Sequence, residues 1–439
     1  MINEQLIEMY CITRFNAEFY TDKNTFFRHF TRVLEKAENS AISSYKGLCD
    51  NLDPRVSIRQ NPFLLGTNPF EDNLFEQSNL ETLLETGIKD VADLKDLVKG
   101  KAVFIKPNLN FVPTNINPYT MTDPRLLFAL ARLIHKYGAA KVLIGEKPGQ
   151  RRKSFDSYNL LKRYFKIPGF IKFIEIDSEK KQRVKTKTKL VSKSLILPQS
   201  YLNADIVIDI PKMKTHTLTG VSLGIKNLFG LLTDKEKMRH HNDDINQKLV
   251  DLLSIRIPDL TIIDGLIGVE GQGPLYGAPR NSNLLVIGRD CVATDAVAAY
   301  LMGFNPNEIT HIALAYQNGL GNINLKYCRF PAKRPQDLRS IFRKADANSN
   351  PLNQIEVIRG KDLNPGYLNS LSHSLERLSY EGIIPDKRKI YLGRFDDIAV
   401  EDSAIIFGDQ TSQSVRYKNA KIIAGHPPKA FELYDVLKK

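Results

Sequence analysis

Clustered thiols, membrane-length apolar runs and a balance of acids are what this 439-residue chain lacks. Its four cysteines, Cys11, Cys49, Cys291 and Cys328, stand far apart and form no Cys-x-x-Cys pair. Neither a disulfide framework nor a thiolate metal site is signalled, and the four read as buried or incidental thiols. No apolar stretch approaches the roughly 18 residues that a membrane-spanning helix needs. Glu4 and Glu8 near the start do not fit a basic-then-apolar leader. The expectation is a cytoplasmic protein with no transmembrane segment. Internal repeats, low-complexity tracts and a Walker-type lysine loop are also missing. Gly271-Gln272-Gly273-Pro274 is a turn that lacks the strand, helix and third glycine of a dinucleotide fingerprint, so no NAD site is read there.

Acids number 49 against 62 basic residues, a formal charge of +13. That admits anionic substrates, nucleic acid or an anionic surface. Much of the excess lies between Lys180 and Lys193, where Lys181, Arg183, Lys185, Lys187 and Lys189 alternate with mostly small or polar residues. This pattern reads as a solvated hairpin, and no aromatic side chain interleaves as base stacking would require. A nucleic-acid partner is disfavoured on that evidence, though left open.

An apolar fraction of 42% suits a packed core, and the length allows two or three domains. The expected class is α/β: a mostly parallel sheet with flanking helices in residues 79–321, preceded by an N-terminal extension (1–78) and followed by a C-terminal α+β segment (322–439) packed on the core. In the extension, Phe26, Phe27, Phe30, Val33 and Leu34 recur at helical spacing. Pro54, Pro62 and Pro69 then suggest a loop-rich wrap. Within the core, a helix is expected over 80–98, strands over 102–105, 141–145, 204–210 and 260–264, and helices from Pro124, over 290–302 and over 307–316. Loops after the strands of such a sheet form its ligand crevice. Lys106, Glu146, Asp209, Lys212 and Asp264 are therefore expected to converge.

After the strand ending at Ile210 comes Pro211-Lys212-Met213-Lys214-Thr215-His216, then Gly220, Ser222, Gly224, Lys226-Asn227 and Gly230. Lysines, hydroxyls and glycines so concentrated suit an anion: glycines admit backbone N–H groups, hydroxyls donate and lysines supply charge. A polar loop with solvated lysines is the plain alternative.

This stretch resembles the central motif of the domain of unknown function 362 family. Ile105-Lys106-Pro107-Asn108, Ile263-Asp264-Gly265, Gly271-Gln272-Gly273-Pro274 with Gly277, and Asp290 with Thr294-Asp295-Ala296 agree in order and spacing. Many members of that family resemble iron–sulfur proteins. Where some relatives carry cysteine near the C-terminus, this chain has Gln410 and His426, so no iron–sulfur cluster is expected. A more distant likeness links His216 to Lys226 with the nickel-pincer lactate racemases. It implies His216 as proton carrier, Lys226 as anchor of a nickel cofactor, and His240 or His241 as metal ligand; a divalent metal is the other cofactor open here. Leu223 replaces a glycine of that pattern, and Glu146 follows the strand where those enzymes place a second histidine, so one-sided acid/base chemistry is expected instead of racemisation.

The working expectation is an enzyme of isomerase, lyase or oxidoreductase type acting on a small hydroxy, keto or phosphorylated acid. His216, Lys226 and Glu146 are its catalytic candidates. Lys106, Asn108, Lys212, Lys214, Thr215, Ser222 and Asn227 are candidate anion contacts, and His240 and His241 candidate metal ligands. A non-catalytic binding or electron-transfer-derived protein and a nucleic-acid or anionic-surface binder are the rivals; the sequence does not give the oligomeric state. Anaerobically purified protein is expected to show no iron–sulfide absorbance in visible spectroscopy, and a broad band there would overturn that expectation.

Overall fold

The computed structural model describes residues 54–61, 69–70, 74–110, 117–149, 153–238, 244–346, 348–363 and 365–439. The helix expected around Phe26 to Leu34 lies outside them. Within the region expected to be loop-rich, β1 (Val56–Gln60) forms. Next come α1 (Leu74–Lys89) and α2 (Leu94–Val98), which share the span expected to be one helix. Asp93 starts the second by accepting from the Asp96 amide.

The alternation then proceeds as β2 (Ala102–Pro107), α3 (Pro124–Lys136), β3 (Lys141–Gly145), α4 (Ser154–Tyr164) and β4 (Ile171–Ile174). Asp123 caps α3 by accepting from the Arg125 amide, with proline in the first turn, which is the arrangement that local sequence favours. A basic hairpin, β5 (Lys181–Lys185) and β6 (Ser194–Pro198), precedes β7 (Ile206–Ile210). The motif that reads as a polar loop is instead two short strands, β8 (Lys212–His216) and β9 (Gly220–Ser222), followed by one helical turn, α5 (Gly224–Asn227). After α6 (Ile245–Ile255), a long hairpin of β10 (Leu260–Glu270) and β11 (Ala278–Gly288) leads to α7 (Cys291–Leu301) and α8 (Thr310–Gln317).

The main sheet runs β1-β11-β10-β7-β2-β3-β4, with β8 paired to β10 and β9 to β8. From β10 to β4 every neighbour is parallel, whereas β11 and β1 add an antiparallel edge. Both faces are covered. Phe104 and Val207 enter one hydrophobic core with α6, α7 and α8, while Val103, Ile105, Ile206 and Ile208 enter the other with α1 and α3. Period-two side chains buried on both sides explain why these strands read as unbroken apolar runs.

The C-terminal part holds a second, wholly parallel sheet. Its strands β12 (Ile355–Arg359), β13 (Arg388–Leu392), β15 (Ile405–Phe407) and β17 (Lys421–Ile423) stand side by side. The short strands β14 (Ile398–Ala399) and β16 (Val415–Arg416) pair separately. Helices α9 (Pro365–Tyr380) and α10 (Ala430–Leu437) supply its apolar cover. Among the described residues no helix is long and apolar enough to cross a membrane.

One buried carboxylate fixes the start of α5. Asp295 on α7 accepts from the amides of Gly224 (2.7 Å) and Ile225 (2.9 Å). The two backbone N–H groups partner this carboxylate, which satisfies donors exposed at the beginning of a helical turn. Burial raises its carboxyl to about 7. A raised folded pKa means that this group favours the folded state below its unfolded value, and that the contribution is lost as pH rises through about 7. Asp295→Asn is therefore expected to flatten the decline in unfolding free energy between mildly acidic and neutral pH, measured by urea denaturation across that range.

Candidate functional site

The carboxyl ends of β2, β3 and β7 meet α5. Lys106 Nζ forms an ion pair with the Glu146 carboxylate, both side chains being almost wholly buried, and also donates to the Pro107 carbonyl at 2.7 Å. Tyr158 positions Glu146: its hydroxyl donates to Ile174 O (2.6 Å) and accepts from the Glu146 amide (3.0 Å). Gly230 lies against this pair. A Cβ there would approach Glu146 Oε1 to 2.2 Å and Lys106 Nζ to 2.8 Å, so any larger residue would displace the ends of this pair.

Asn227 joins these elements. Its Nδ2 donates to Lys106 O (3.0 Å) and Asp209 Oδ1 (2.7 Å), and its Oδ1 accepts from Asn108 Nδ2 (3.0 Å). Asp209 is fully buried, and its Oδ2 has no hydrogen-bond partner among the described residues. Burial holds its carboxyl well above the usual range, against the pull of Lys106 and the Asn227 hydrogen bond.

In front of this group opens a cavity of about 500 Å3, within the usual size range for a small-molecule site. Asn108, Glu146, Lys214, His216, Ser222, Lys226 and Asn227 line it. Lys214 donates to Asn108 Oδ1 (3.1 Å) and Thr120 O (2.8 Å), while burial and then the charge of Lys226 push it down to about 7. Lys226 is half-buried. Its Nζ sits 4.7 Å from the centre of the Phe229 ring, within cation–π range. Burial, reinforced by Lys106 and opposed by Glu146, lowers it to about 8. His216 Nδ1 accepts from the Leu218 amide at 3.1 Å, which places the proton of the neutral ring on Nε2.

Other expected contacts lie elsewhere. Lys106 is wholly buried behind its pair with Glu146 and does not line the cavity. Lys212 pairs with Asp264 at 2.9 Å, and the same carboxylate accepts from the Asp123 amide. Thr215 Oγ1 donates to Gly271 O at 2.8 Å. Thus Lys106, Glu146 and Asp209 converge, while Lys212 and Asp264 form a separate pair. Glu270 binds Arg343 and Arg280. His240 and His241 lie outside the described residues. Among the described residues no group of three or more His, Cys, Asp and Glu stands together to hold a metal ion.

Two further groups of residues line the cavity. Lys147 and Lys237 belong to the core wall. Lys237 donates to Lys147 O (2.7 Å) and Pro148 O (2.9 Å), and burial lowers it to about 7. Lys147 follows Glu146 at a strand end, where the crevice rule points; nothing in the local pattern marks Lys237. The opposite wall comes from α9 and α10, with Asn369, Ser370, His373, Phe431 and Tyr434. Thr217 Oγ1 meets Asn369 Oδ1 at 2.5 Å, and Tyr276 OH meets His373 Nε2 at 3.4 Å. Burial and then Arg377 bring His373 down to about 4, so it is neutral at physiological pH.

Fold and site together define an α/β protein whose strand ends carry a lysine-rich cavity lined on its other side by α9 and α10. The chain belongs to the family described as domain of unknown function (DUF362), whose model matches residues 103–300. A thylakoid-associated protein of Synechocystis sp. is 30% identical over 275 residues, covering 60% of this chain and 82% of that relative. Among solved structures, the lactate racemase apoprotein of Thermoanaerobacterium thermosaccharolyticum is 12% identical with a TM-score of 0.37, covering 80% of this chain and 70% of that one. A Thermotoga maritima protein, also 12% identical, gives a TM-score of 0.32 and coverage of 73% and 72%. TM-scores this low bear on no question of activity.

The two kinds of lysine separate experimentally. Lys106→Met leaves Glu146 buried without its partner and is expected to cost roughly 3–5 kcal/mol of unfolding free energy. Lys226→Met removes an ammonium that burial disfavours, and its stability should stay within about 0.5 kcal/mol of wild type or rise. Guanidinium denaturation of both variants checks this contrast.

Proposed function

We propose that this protein is an enzyme that binds a small anionic metabolite in the cavity and moves a proton on it. The observation that carries the reading is Lys226, which lines the cavity with its ammonium over the Phe229 ring and with a pKa lowered to about 8. Lys214 and Lys237 lie on the same wall with pKa values near 7. Glu146 is the carboxylate that works against the depression of all three. A carboxylate or phosphate entering the cavity would supplement it, favouring the charged lysines and gaining charge-assisted hydrogen bonds in a site of low dielectric.

His216 is the electrophilic partner of the proton transfer in this reading. Its Nδ1 is engaged by a backbone N–H, so a neutral imidazole keeps one ring orientation and presents Nε2–H as a hydrogen-bond donor. A hydroxy or keto acid held by its carboxylate on the lysines would give its adjacent C–H proton to the Glu146 carboxylate, which also lines the cavity; the electron pair left on carbon would delocalise toward the carboxylate or carbonyl oxygen, whose developing charge the Nε2–H and the lysines stabilise. Isomerase and lyase chemistry follow from this step, and oxidoreductase chemistry would need a further acceptor. Lys226 also fits as the covalent anchor for a cofactor, which would supply electron-accepting capacity that histidine alone lacks.

Solvent-deuterium exchange into a panel of hydroxy, keto and phosphorylated acids, followed by NMR, tests the reading. Wild type should label one class of acid at the carbon bearing the acidic proton. His216→Ala should lower labelling by roughly 10²–10⁴-fold while leaving binding intact, and Lys226→Ala should weaken binding. Affinity for the acid should fall as pH rises through about 8, because Lys226 loses its proton, and Lys226→Met should flatten that decline. Labelling unchanged in both alanine variants would exclude these roles, whereas ligand binding without labelling in wild type would identify a binding protein.

A further inference from the structure

A strap of chain from Leu325 to Lys344 crosses α7 by way of two short helical turns, Leu325–Tyr327 and Pro335–Leu338. From Lys326 to Lys344 it carries seven cations and one acid, Asp337. Lys326, Arg329, Lys333, Arg334, Arg339 and Lys344 are all exposed. Among the described residues Arg343 is the strap cation with an ion pair, to Glu270. Two large apolar side chains point out between these charges: Tyr327 is 65% exposed and Ile341 70% exposed.

The exposure is imposed by the backbone. Ser340 N donates to Leu301 O (2.7 Å) and Phe342 N to Met302 O (2.9 Å), and Phe342 is buried. Ile341, between two tethered residues, is turned to solvent. At the other end Val56 N donates to Arg329 O (3.0 Å), and Cys328 is buried, so Tyr327 stands outward beside the edge strand. Aliphatic and aromatic groups held in water, each flanked by cations, are the combination that suits the boundary between headgroups and acyl chains. Tyrosine favours that depth, isoleucine enters the acyl region, and lysine and arginine meet lipid phosphates. A nucleic-acid groove would want successive aromatic platforms; the exposed pair here is one tyrosine and one isoleucine, which offers a single ring for stacking.

We propose that this strap docks the protein on an anionic lipid bilayer surface, with Tyr327 and Ile341 inserted and the surrounding lysines and arginines on headgroup phosphates. The hairpin β5–β6 provides an internal control. Its exposed Arg183, Lys185, Lys187 and Lys189 have comparable charge but belong to a different surface element.

Co-sedimentation of the full chain with vesicles tests the proposal. Vesicles of equal parts phosphatidylcholine and phosphatidylglycerol should retain the protein at low salt, and pure phosphatidylcholine vesicles should not. Tyr327→Asp with Ile341→Asp should lower the partition coefficient at least about tenfold, as should Lys333→Glu with Arg334→Glu. Reversing Lys185 and Lys187 should have a smaller effect. Circular dichroism and thermal unfolding verify that each variant folds, and the charge-reversal pair stands in if the aspartates perturb packing. No binding to anionic vesicles, equal loss from the hairpin variants, or preferential binding of the strap to single-stranded DNA over vesicles would overturn the assignment.

Discussion

The site depends on one carboxylate placed among lysines. Glu146 is buried against Lys106, and its field opposes the pKa depression of Lys214, Lys226 and Lys237 as well. Desolvation penalises each ammonium, so one carboxylate cannot keep the whole set charged. The chain meets this constraint by neutralising different lysines in different ways. Lys106 takes the ion pair, Lys214 and Lys237 take neutral oxygens, and Lys226 takes the face of an aromatic ring.

Position is enforced by groups that carry no net charge to the cavity. Asn227 ties β2 and β7 to the turn that bears Lys226, and Asp295 holds the first amides of the same turn from beneath. Gly230 permits the chain to pass over the Lys106–Glu146 pair without a Cβ. A lysine on a long flexible stem is useful in a site only if its starting point is fixed. Here that fixing uses buried polar groups, which is affordable because nearly all their donors and acceptors are paired.

Most of the core was legible in the sequence because its signals are local. Apolar runs bounded by Pro, Gly and acids marked β2, β3 and β7, and Asp123-Pro124 marked the cap of α3. The motif lysines were legible as a group, but their division was not. Lys212 and Lys214 stand two residues apart on β8, yet Lys212 meets Asp264 on β10 and Lys214 meets Asn108 after β2. That choice is made by strand order, which residue spacing does not encode. The hairpin partner β11 was likewise hidden, because an antiparallel edge on a parallel sheet depends on where the chain returns after a turn.

The far wall of the cavity was invisible for a related reason. Asn369, Ser370 and His373 sit on a helix whose local pattern serves its own apolar core, and none belongs to a recognisable motif. Their place at the site follows from docking: Thr217, in the middle of the family motif, reaches Asn369, and Tyr276 on the β10–β11 turn reaches His373. The core wall is dominated by lysine. The opposing lining includes neutral polar groups and the rings of Tyr276, Phe431 and Tyr434. A ligand that satisfies both walls therefore needs an anionic end for the strand ends and a less polar body for the helices, and the family core alone supplies recognition for only the first.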